Sequence, residues 1–242
     1  MINKALEINN LTFSYPDKEK VINNISFELN IKDSLAIIGP NGAGKTTLFY
    51  LISGILKPFG GSIISLNKAV KYKEFNRNIG FVFQNPDDQL FSSTVYDDIA
   101  FGLINIGYSN DDIDKKVNNI LNRLSYRNLI DRPSQHLSAG EKRMISLAAV
   151  IAIEPEILIL DEPTSHLDMR SRRMLIQFLK ETHITKIIAS HDLEFLLELC
   201  DKTLLLDEGS IIKYDNTNEI MTNEKLMTEH GLEVPHSIKS KI

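Results

Sequence analysis

Alternating apolar residues mark the start of the chain. Over residues 11–15 and again over residues 25–31, every second side chain is apolar. Such alternation is typical of antiparallel strands with one face in water. Pro16-Asp17 follows the first stretch and predicts a turn. We therefore predict an antiparallel β subdomain in the first thirty residues.

Three later segments carry continuous apolar runs. They are LAIIG at 35–39, ILILD at 157–161 and KIIAS at 186–190. Runs of this kind are expected for parallel strands covered on both faces, and the helical spacing between them predicts an α/β core. The segment after His191 is again helical in pattern. TLLLDEGSIIKYD, at 203–215, then predicts a hairpin about Glu208-Gly209.

The region from about 85 to 155 breaks this alternation of strands and helices. Its helical spacing predicts a mostly helical insert. The apolar positions that show this spacing most clearly are Ile113, Val117, Ile120, Leu121 and Leu124. We therefore divide a single domain into a catalytic core at 1–84 and 156–215, a helical part at 85–155, and a tail at 216–242. The tail is polar, with a short helical pattern at 218–227.

Composition narrows the function classes. The 242 residues carry a formal net charge of −5 and no tryptophan, which argues against a nucleic-acid partner. The single cysteine, Cys200, lies in an apolar helical pattern and is predicted to be a core residue in a reducing compartment. We see no signal peptide and no apolar run near the roughly 20 residues of a spanning helix. We expect a soluble protein that reaches a membrane only through a partner.

The segment IIGPNGAGKTTLFYLISGI, residues 37–55, joins a predicted strand to a predicted helix. Its spacing Gly39-x-x-x-x-Gly44-Lys45-Thr46 fits the phosphate-binding P-loop in full. Glycine permits the unusual φ angles of an anion cradle, and the helix N-terminus adds partial positive charge. Lys45 would reach the β- and γ-phosphates of a nucleoside triphosphate, and Thr46 would place its hydroxyl on Mg²⁺. The predicted nucleotide-binding residues here are Gly39, Pro40, Asn41, Gly42, Ala43, Gly44, Lys45, Thr46 and Thr47.

Two carboxylates and a histidine follow the later strands. Asp161 ends ILILD, Glu162 follows it in ILILDEP, and His191 follows KIIAS. Ligand chemistry collects at the carboxyl ends of strands, so we predict that all three face the P-loop. Asp161 suits the Mg²⁺ shell through a water, Glu162 suits a general base, and a neutral His191 would bond the γ-phosphate. A strand-end turn and a structural histidine are the alternative interpretations.

The segment HLSAGEKRMISLAAVIAI, residues 136–153, predicts a capped helix. Ser138-x-x-Glu141 before an apolar run is a capping box, and that alone explains these residues. A serine-capped helix N-terminus with Gly140 beside it is also an anion site. We expect it to close on the phosphate held by a second copy of the chain rather than by its own P-loop.

In this order the motifs resemble the ATP-binding cassette (ABC) ATPases over almost the whole chain. The residues that carry the resemblance are Tyr15, the P-loop, Gln84, LSAGE at 137–141, ILILDEP at 157–163, SHLD at 165–168 and His191. The resemblance implies a P-loop NTPase core with an antiparallel β part and an inserted helical part. It implies that Tyr15 stacks on adenine and that Gln84 touches Mg²⁺ or the attacking water. It also implies a head-to-tail dimer, with an identical copy or a paralogue, that holds two ATP molecules.

Three residues depart from the usual motifs of that family. Ala139 replaces the first glycine of the signature, Glu141 replaces its glutamine, and His166 replaces a small residue of the loop that crosses the dimer. The Ala139 methyl lies where a close contact is expected and would weaken dimer closure, although alanine favours the helix.

The stretch at 83–102 resembles the energy-coupling-factor branch, whose members import vitamins and cobalt or nickel. The resemblance implies a membrane scaffold protein that docks beside Gln84 through arginine-bearing helices. Asp87 and Asp88 would then be its counter-charges, with a solvated turn as the alternative. It also implies a separate substrate-binding membrane subunit and a place at the cytoplasmic face of the cell membrane.

The tail EHGLEVPHS, residues 229–237, is more similar to the cobalt and nickel ATPases than to the vitamin ones. His230 and His236 lie six residues apart, which makes a poor metal site, so a polar tail is the preferred interpretation. The predicted function is the motor of a cobalt or nickel importer. The alternatives are the same motor in a vitamin importer, and a soluble ABC ATPase that works on DNA or ribosomes.

Overall fold

The computed structural model describes residues 4–239, and both ends of the predicted domain, 1–3 and 240–242, lie outside the described residues. The chain divides into two compact units. The first unit runs up to Asn76 and resumes at His183, and the second unit is Arg77–Thr182. The predicted division into a core and a helical part at 85–155 stays a prediction.

The strands follow one another along both units. They are β1 (Lys4–Tyr15), β2 (Lys18–Asn30), β3 (Ser34–Ile38), β4 (Gly60–Ser65), β5 (Lys68–Ala69), β6 (Ile79–Val82), β7 (Ile157–Asp161), β8 (Thr185–Ala189), β9 (Lys202–Asp207) and β10 (Ser210–Asn216). All three predicted buried strands are present as β3, β7 and β8, and every residue in them is buried.

The helices lie between and after these strands. They are α1 (Lys45–Ile52), α2 (Val95–Asn105), α3 (Asn110–Arg123), α4 (Ala139–Ile151), α5 (Met169–Glu181), α6 (Leu193–Leu199), α7 (Thr217–Met221), α8 (Glu224–Glu229) and α9 (His236–Lys239). Short 3₁₀ turns occur at Pro86–Asp88, Arg127–Leu129 and Ser134–His136. Within residues 4–239, no helix has both the length and the apolar character that crossing a membrane requires.

The first unit contains the predicted antiparallel sheet. Its strands lie in the order β2-β1-β4-β5, and β1 and β2 are antiparallel with Leu11 opposite Ile25. The turn at Pro16-Asp17 is where the sequence predicts it. The second alternating stretch ends one residue early, because β2 stops at Asn30 and Ile31 lies half-buried in the following turn.

A second group of paired strands, mostly parallel, also lies in the first unit. β3 lies between β8 and β9 and is parallel to both, with Leu35 opposite Ile187 and Lys202. β10 pairs with β9 in the predicted hairpin. Glu208 and Gly209 have φ angles of 44° and 72°, so both turn residues are left-handed, as a type I′ hairpin turn requires.

Helices dominate the second unit. The five predicted apolar positions of 113–124 are all buried, four of them on α3 and Leu124 directly after it. β6 and β7 are parallel neighbours, with Ile79 opposite Ile157. The unit therefore presents the carboxyl end of β7, where the predicted acids follow, beside the end of β6.

The tail differs from the polar segment that the sequence predicts. Two helices, α7 and α8, replace the single short pattern, and the Asn223 side chain caps the second of them. Ile220, Met221 and Met227 are 0% exposed and Val234 is 4% exposed. Polar residues between these positions hide their burial from a pattern-based interpretation, so the tail is a packed part of the first unit.

Cys200 has the predicted core position. The side chain is buried, and no disulfide involves it. Burial raises the pKa of the Cys200 thiol well above its usual value, so the reactive thiolate is disfavoured.

Candidate functional site

The P-loop connects β3 to α1 and depends on glycine at two points. Gly39 has a φ of 152°, and a Cβ atom there would lie 1.9 Å from the carbonyl oxygen of Leu206. Gly44 has a φ of 106°, and a Cβ atom there would lie 2.7 Å from the carbonyl oxygen of Val21. The first unit therefore packs neighbouring backbone against the loop from outside and fixes its curvature.

The P-loop carries positive charge from the Lys45 ammonium and from the N-terminus of α1. The Lys45 ammonium donates to the carbonyl oxygens of Gly39 at 2.7 Å and Pro40 at 3.0 Å, which holds it over the loop. Gly44 caps α1 without a side-chain hydrogen bond, and the first turn has no acidic side chain. A helix N-terminus of this kind favours an anion. With the hydroxyls of Thr46 and Thr47, these donors fit a nucleotide polyphosphate.

Tyr15 lies beside this loop. The Tyr15 hydroxyl and the Thr47 Oγ1 are 3.3 Å apart. The ring packs edge-on against Phe13 with centroids 4.9 Å apart, and Phe13 in turn packs against the exposed Phe59. The half-buried Tyr15 ring is thus held at the edge of the phosphate loop, where it can meet a nucleotide base.

His191 follows the end of β8 on an exposed turn. The buried Ser190 accepts a hydrogen bond from the Asp192 backbone N–H at 3.1 Å, and Asp192 caps α6. His191 and Gly39 line one cavity of about 380 Å³, whose far wall comes from tail residues 231–236. The first unit therefore brings Tyr15, the P-loop and His191 together.

The second unit holds the two acids. Asp161 ends β7, and it and Glu162 are 2% and 7% exposed. Glu162 has a φ of 48°, a left-handed conformation that is uncommon for a residue other than glycine. Burial lowers the pKa of the Arg143 guanidinium, and the Asp161 and Glu162 carboxylates oppose that shift. Arg143 therefore shares a buried charged region with both acids.

Gln84 lies two residues after β6 and is exposed. Its carbonyl oxygen accepts a hydrogen bond from Arg143 Nη2, and the Phe83 carbonyl oxygen accepts one from Nη1 at 2.6 Å. Sequence reasoning missed Arg143. The available signal was a charged residue inside the apolar pattern of α4.

The signature segment forms the predicted capping box. Ser138 Oγ accepts a hydrogen bond from the Glu141 backbone N–H at 3.3 Å, and the Ser138 N–H donates to Glu141 Oε2 at 2.7 Å. A Cβ atom on Gly140 would meet nothing closer than Ser171 Oγ at 3.4 Å, which is ordinary contact. The fold of the chain itself does not require glycine at position 140.

The departures from the usual motifs are accommodated locally. Ala139 is the exposed first residue of α4, a position that alanine favours. His166 is exposed and has a φ of 64°. Among residues 4–239, no three or more His, Cys, Asp or Glu side chains are placed to hold a metal ion. Thr46, at the start of α1, and Asp161, at the end of β7, each carry a side-chain oxygen of the kind that Mg²⁺ binds.

Comparison with known proteins identifies the family. The family model described as ABC transporter matches residues 22–165. The energy-coupling factor transporter ATP-binding protein EcfA of Methanococcus maripaludis is 41% identical over 238 residues, covering 95% of this chain and 86% of that protein. EcfA of Methanothermobacter thermautotrophicus is 37% identical, with coverages of 96% and 77%. CbiO1 from Clostridium perfringens, part of the ABC transporter complex CbiONQ, matches with a TM-score of 0.82 and 35% identity over 99% of both chains. The chain therefore belongs to the ABC transporter family and is an ATPase of that family.

Proposed function

We propose that the chain is the ATP-hydrolysing motor of an energy-coupling-factor importer that takes up cobalt or nickel ions. The observation that carries the proposal is the phosphate-binding geometry around Lys45, with both loop glycines fixed by backbone packing. The likeness to two EcfA proteins and to CbiO1 supports the choice of transporter.

In the proposed reaction the P-loop and Lys45 bind the phosphates of ATP, and Tyr15 stacks on the adenine. Thr46, Asp161 and Gln84 are the residues that would hold Mg²⁺, which neutralises charge on the phosphates when bound. Glu162 accepts a proton from the attacking water, and His191 donates a hydrogen bond to the γ-phosphate.

We further propose that two chains, or this chain and a paralogue, work as a head-to-tail dimer. Ser138 and Gly140 of one molecule would close on the phosphates bound by the other. Gly140 supports this assignment because the fold of the chain leaves room for a side chain at this position. A close approach by a partner molecule would then be the reason for glycine. The N-terminus of α4, a helix of 13 residues, supplies the partial positive charge.

The proposed membrane scaffold would dock beside the Gln84 loop. Asp87 and Asp88 are both exposed there, but Asp87 Oδ1 already accepts from the Lys142 ammonium at 2.6 Å. Asp88 is therefore the better counter-charge for an arginine of the scaffold. Phe91 and Phe101, which are 66% and 48% exposed and pack edge-to-face, supply apolar contact surface close by in the sequence.

Cobalt or nickel would bind a separate membrane subunit rather than this chain. His230 Nδ1 lies 2.7 Å from Asp207 Oδ2, and this pair fastens the tail at the end of β9. The name of the CbiO1 complex gives no cargo, so a vitamin importer is the competing proposal. We place the chain at the cytoplasmic face of the membrane, held there by its partners.

The Glu162→Gln variant tests this function. We expect loss of ATP turnover and an ATP-dependent dimer in gel filtration, together with copurification of the scaffold and substrate-binding membrane proteins. Gln177→Ala, at an exposed position of α5, is the matched control and should hydrolyse ATP like the unaltered chain. A chain that stays monomeric with ATP and Mg²⁺ in the presence of its membrane proteins would refute the dimeric motor. Uptake of radioactive cobalt, nickel or vitamin by the complex decides the cargo.

A further inference from the structure

Arg143 is a buried charge in a helix that otherwise buries apolar side chains. It lies five residues after Ser138, is 2% exposed and is among the largest fully buried side chains of the described residues. Burying a charge is costly unless the charge is paired and hydrogen-bonded. An apolar residue of similar volume would fill this position at lower cost, so packing alone does not explain the arginine.

The guanidinium reaches the backbone at Gln84. Its two terminal nitrogens donate to the adjacent carbonyl oxygens of Phe83 and Gln84. A planar fork can satisfy two acceptors with fixed geometry, whereas a lysine ammonium acts as a point charge on a flexible stem. Arg143 therefore sets both the position and the direction of the peptide that carries the Gln84 side chain.

The same guanidinium is electrostatically linked to the acids at the end of β7. Asp161 and Glu162 stabilise its charged form against the effect of burial. One side chain on the signature helix thus donates hydrogen bonds to the Gln84 loop and is attracted electrostatically by the two carboxylates.

Other contacts already hold this loop on α4. Gln89 accepts from the Phe83 N–H at 3.3 Å and donates to the Ser146 carbonyl oxygen at 2.7 Å, and Lys142 pairs with Asp87. Arg143 Nε, in contrast, is buried and has no hydrogen-bond partner in the described part of the chain. A residue that only held the loop on α4 would not need to be a buried charged group with one N–H left without a partner. Such groups call for a specific explanation.

We propose that Arg143 is a positioning residue that fixes the backbone at Gln84 and thereby aims the Gln84 side chain during ATP hydrolysis. The consequence for turnover rests on the proposed role of Gln84. The anchoring itself does not, because it concerns only contacts within the second unit.

The test compares four variants of the full chain: Arg143→Lys, Gln84→Ala, the double variant, and Arg127→Lys as a control at an exposed arginine. The readouts are kcat and KM for ATP, and hydrogen exchange of the amides at 83–89. We expect Arg143→Lys to lower kcat by about 10- to 100-fold because the Gln84 side chain is displaced. KM for ATP should stay within about threefold, since the P-loop is unchanged. Exchange at 83–89 should be faster, and the control should match the unaltered chain.

The double variant separates positioning from a general effect on the fold. We expect it to turn over no more slowly than the slower single variant, because both changes remove the same contribution. The proposal would be overturned if the fold-decreases in kcat of the two single variants multiplied in the double variant. It would also be overturned if hydrogen exchange at 83–89 were unchanged in Arg143→Lys. If Gln84→Ala turns over normally, the proposed role of Gln84 is wrong, and the exchange data still decide the anchoring. Should Arg143→Lys not fold, Arg143→Gln, which donates to one carbonyl only, gives the same exchange comparison.

Discussion

Gly140→Ala should make the protein more stable and less active. In the structure the new methyl group would lie 3.4 Å from Ser171 Oγ and 3.7 Å from Leu167 Cδ2, both ordinary contacts. The position is in the first turn of α4 and its φ is not left-handed. Nothing within the second unit therefore opposes the substitution.

The size of the stability change follows from helix propensity. Replacing glycine by alanine inside a helix gains about 0.5–1 kcal/mol, and a first-turn position should give the lower part of that range. For a chain of this length, about 1 kcal/mol corresponds to about 2–4 °C in Tm. We expect Gly140→Ala to raise Tm by about 1–3 °C in the absence of nucleotide.

Gly140→Ala should lower ATP turnover even though it raises stability. If Gly140 packs against the nucleotide held by a second molecule, the methyl group obstructs closure and ATPase activity falls by about tenfold or more. Thermal unfolding and steady-state ATPase assays on one preparation measure both quantities. Ala139→Gly is the matched reverse change, and it should lower Tm by a similar amount without lowering turnover.

Two outcomes would contradict this reasoning. A clear fall in Tm for Gly140→Ala would mean that the fold itself demands glycine there. A normal ATPase rate, with a raised Tm, would mean that no partner approaches the start of α4 closely enough to exclude a methyl group.

Three further changes test other parts of the structure. Gly39→Ala should lower the free energy of unfolding, measured in urea, by about 3 kcal/mol or more, because the new Cβ atom would overlap the Leu206 carbonyl oxygen. Asp88→Asn should weaken recovery of the membrane scaffold in a pull-down while leaving ATP affinity unchanged, and equal recovery would count against the docking site. Hydrogen bonds from the Ser237 side chain and backbone lower the pKa of Glu194 below its usual value near 4.5. The contact is therefore complete above that value and is lost as the pH falls through the folded-state pKa, so an NMR titration of the Glu194 carboxylate should give a midpoint below 4.5 that Ser237→Ala raises. The same midpoint in both proteins would refute this.

Short sequence patterns predicted the elements that depend on residues close together in the chain. Continuous apolar runs predicted β3, β7 and β8, and the hairpin at Glu208-Gly209 has the two left-handed residues that its turn needs. The capping box of α4 needs only residues three apart, so its spacing is visible in the sequence. The proposed phosphate site is equally local, since a single loop and the start of one helix form it.

Tertiary contacts explain what the sequence did not reveal. Lys142 and Asp87 are 55 residues apart, so their pairing, which makes Asp88 the better of the two proposed counter-charges, has no local signature. The tail is buried because the surface of the first unit covers its scattered apolar residues. Arg143 lies at a helix position whose neighbours are apolar, and only its contact with residues 59 and 60 positions earlier shows why a charge is there.

The glycines of the P-loop and of the signature segment differ in what requires them. Gly39 and Gly44 are required by backbone atoms of their own unit, which would clash with any Cβ atom. Gly140 is not required in this way, although the same chain uses it at the start of a well-capped helix, where alanine would be more stable. A residue that lowers stability and meets no constraint inside the molecule is best explained by a constraint from outside it. On this argument the P-loop is built by the chain alone, and the signature segment is shaped for a surface that a second molecule brings.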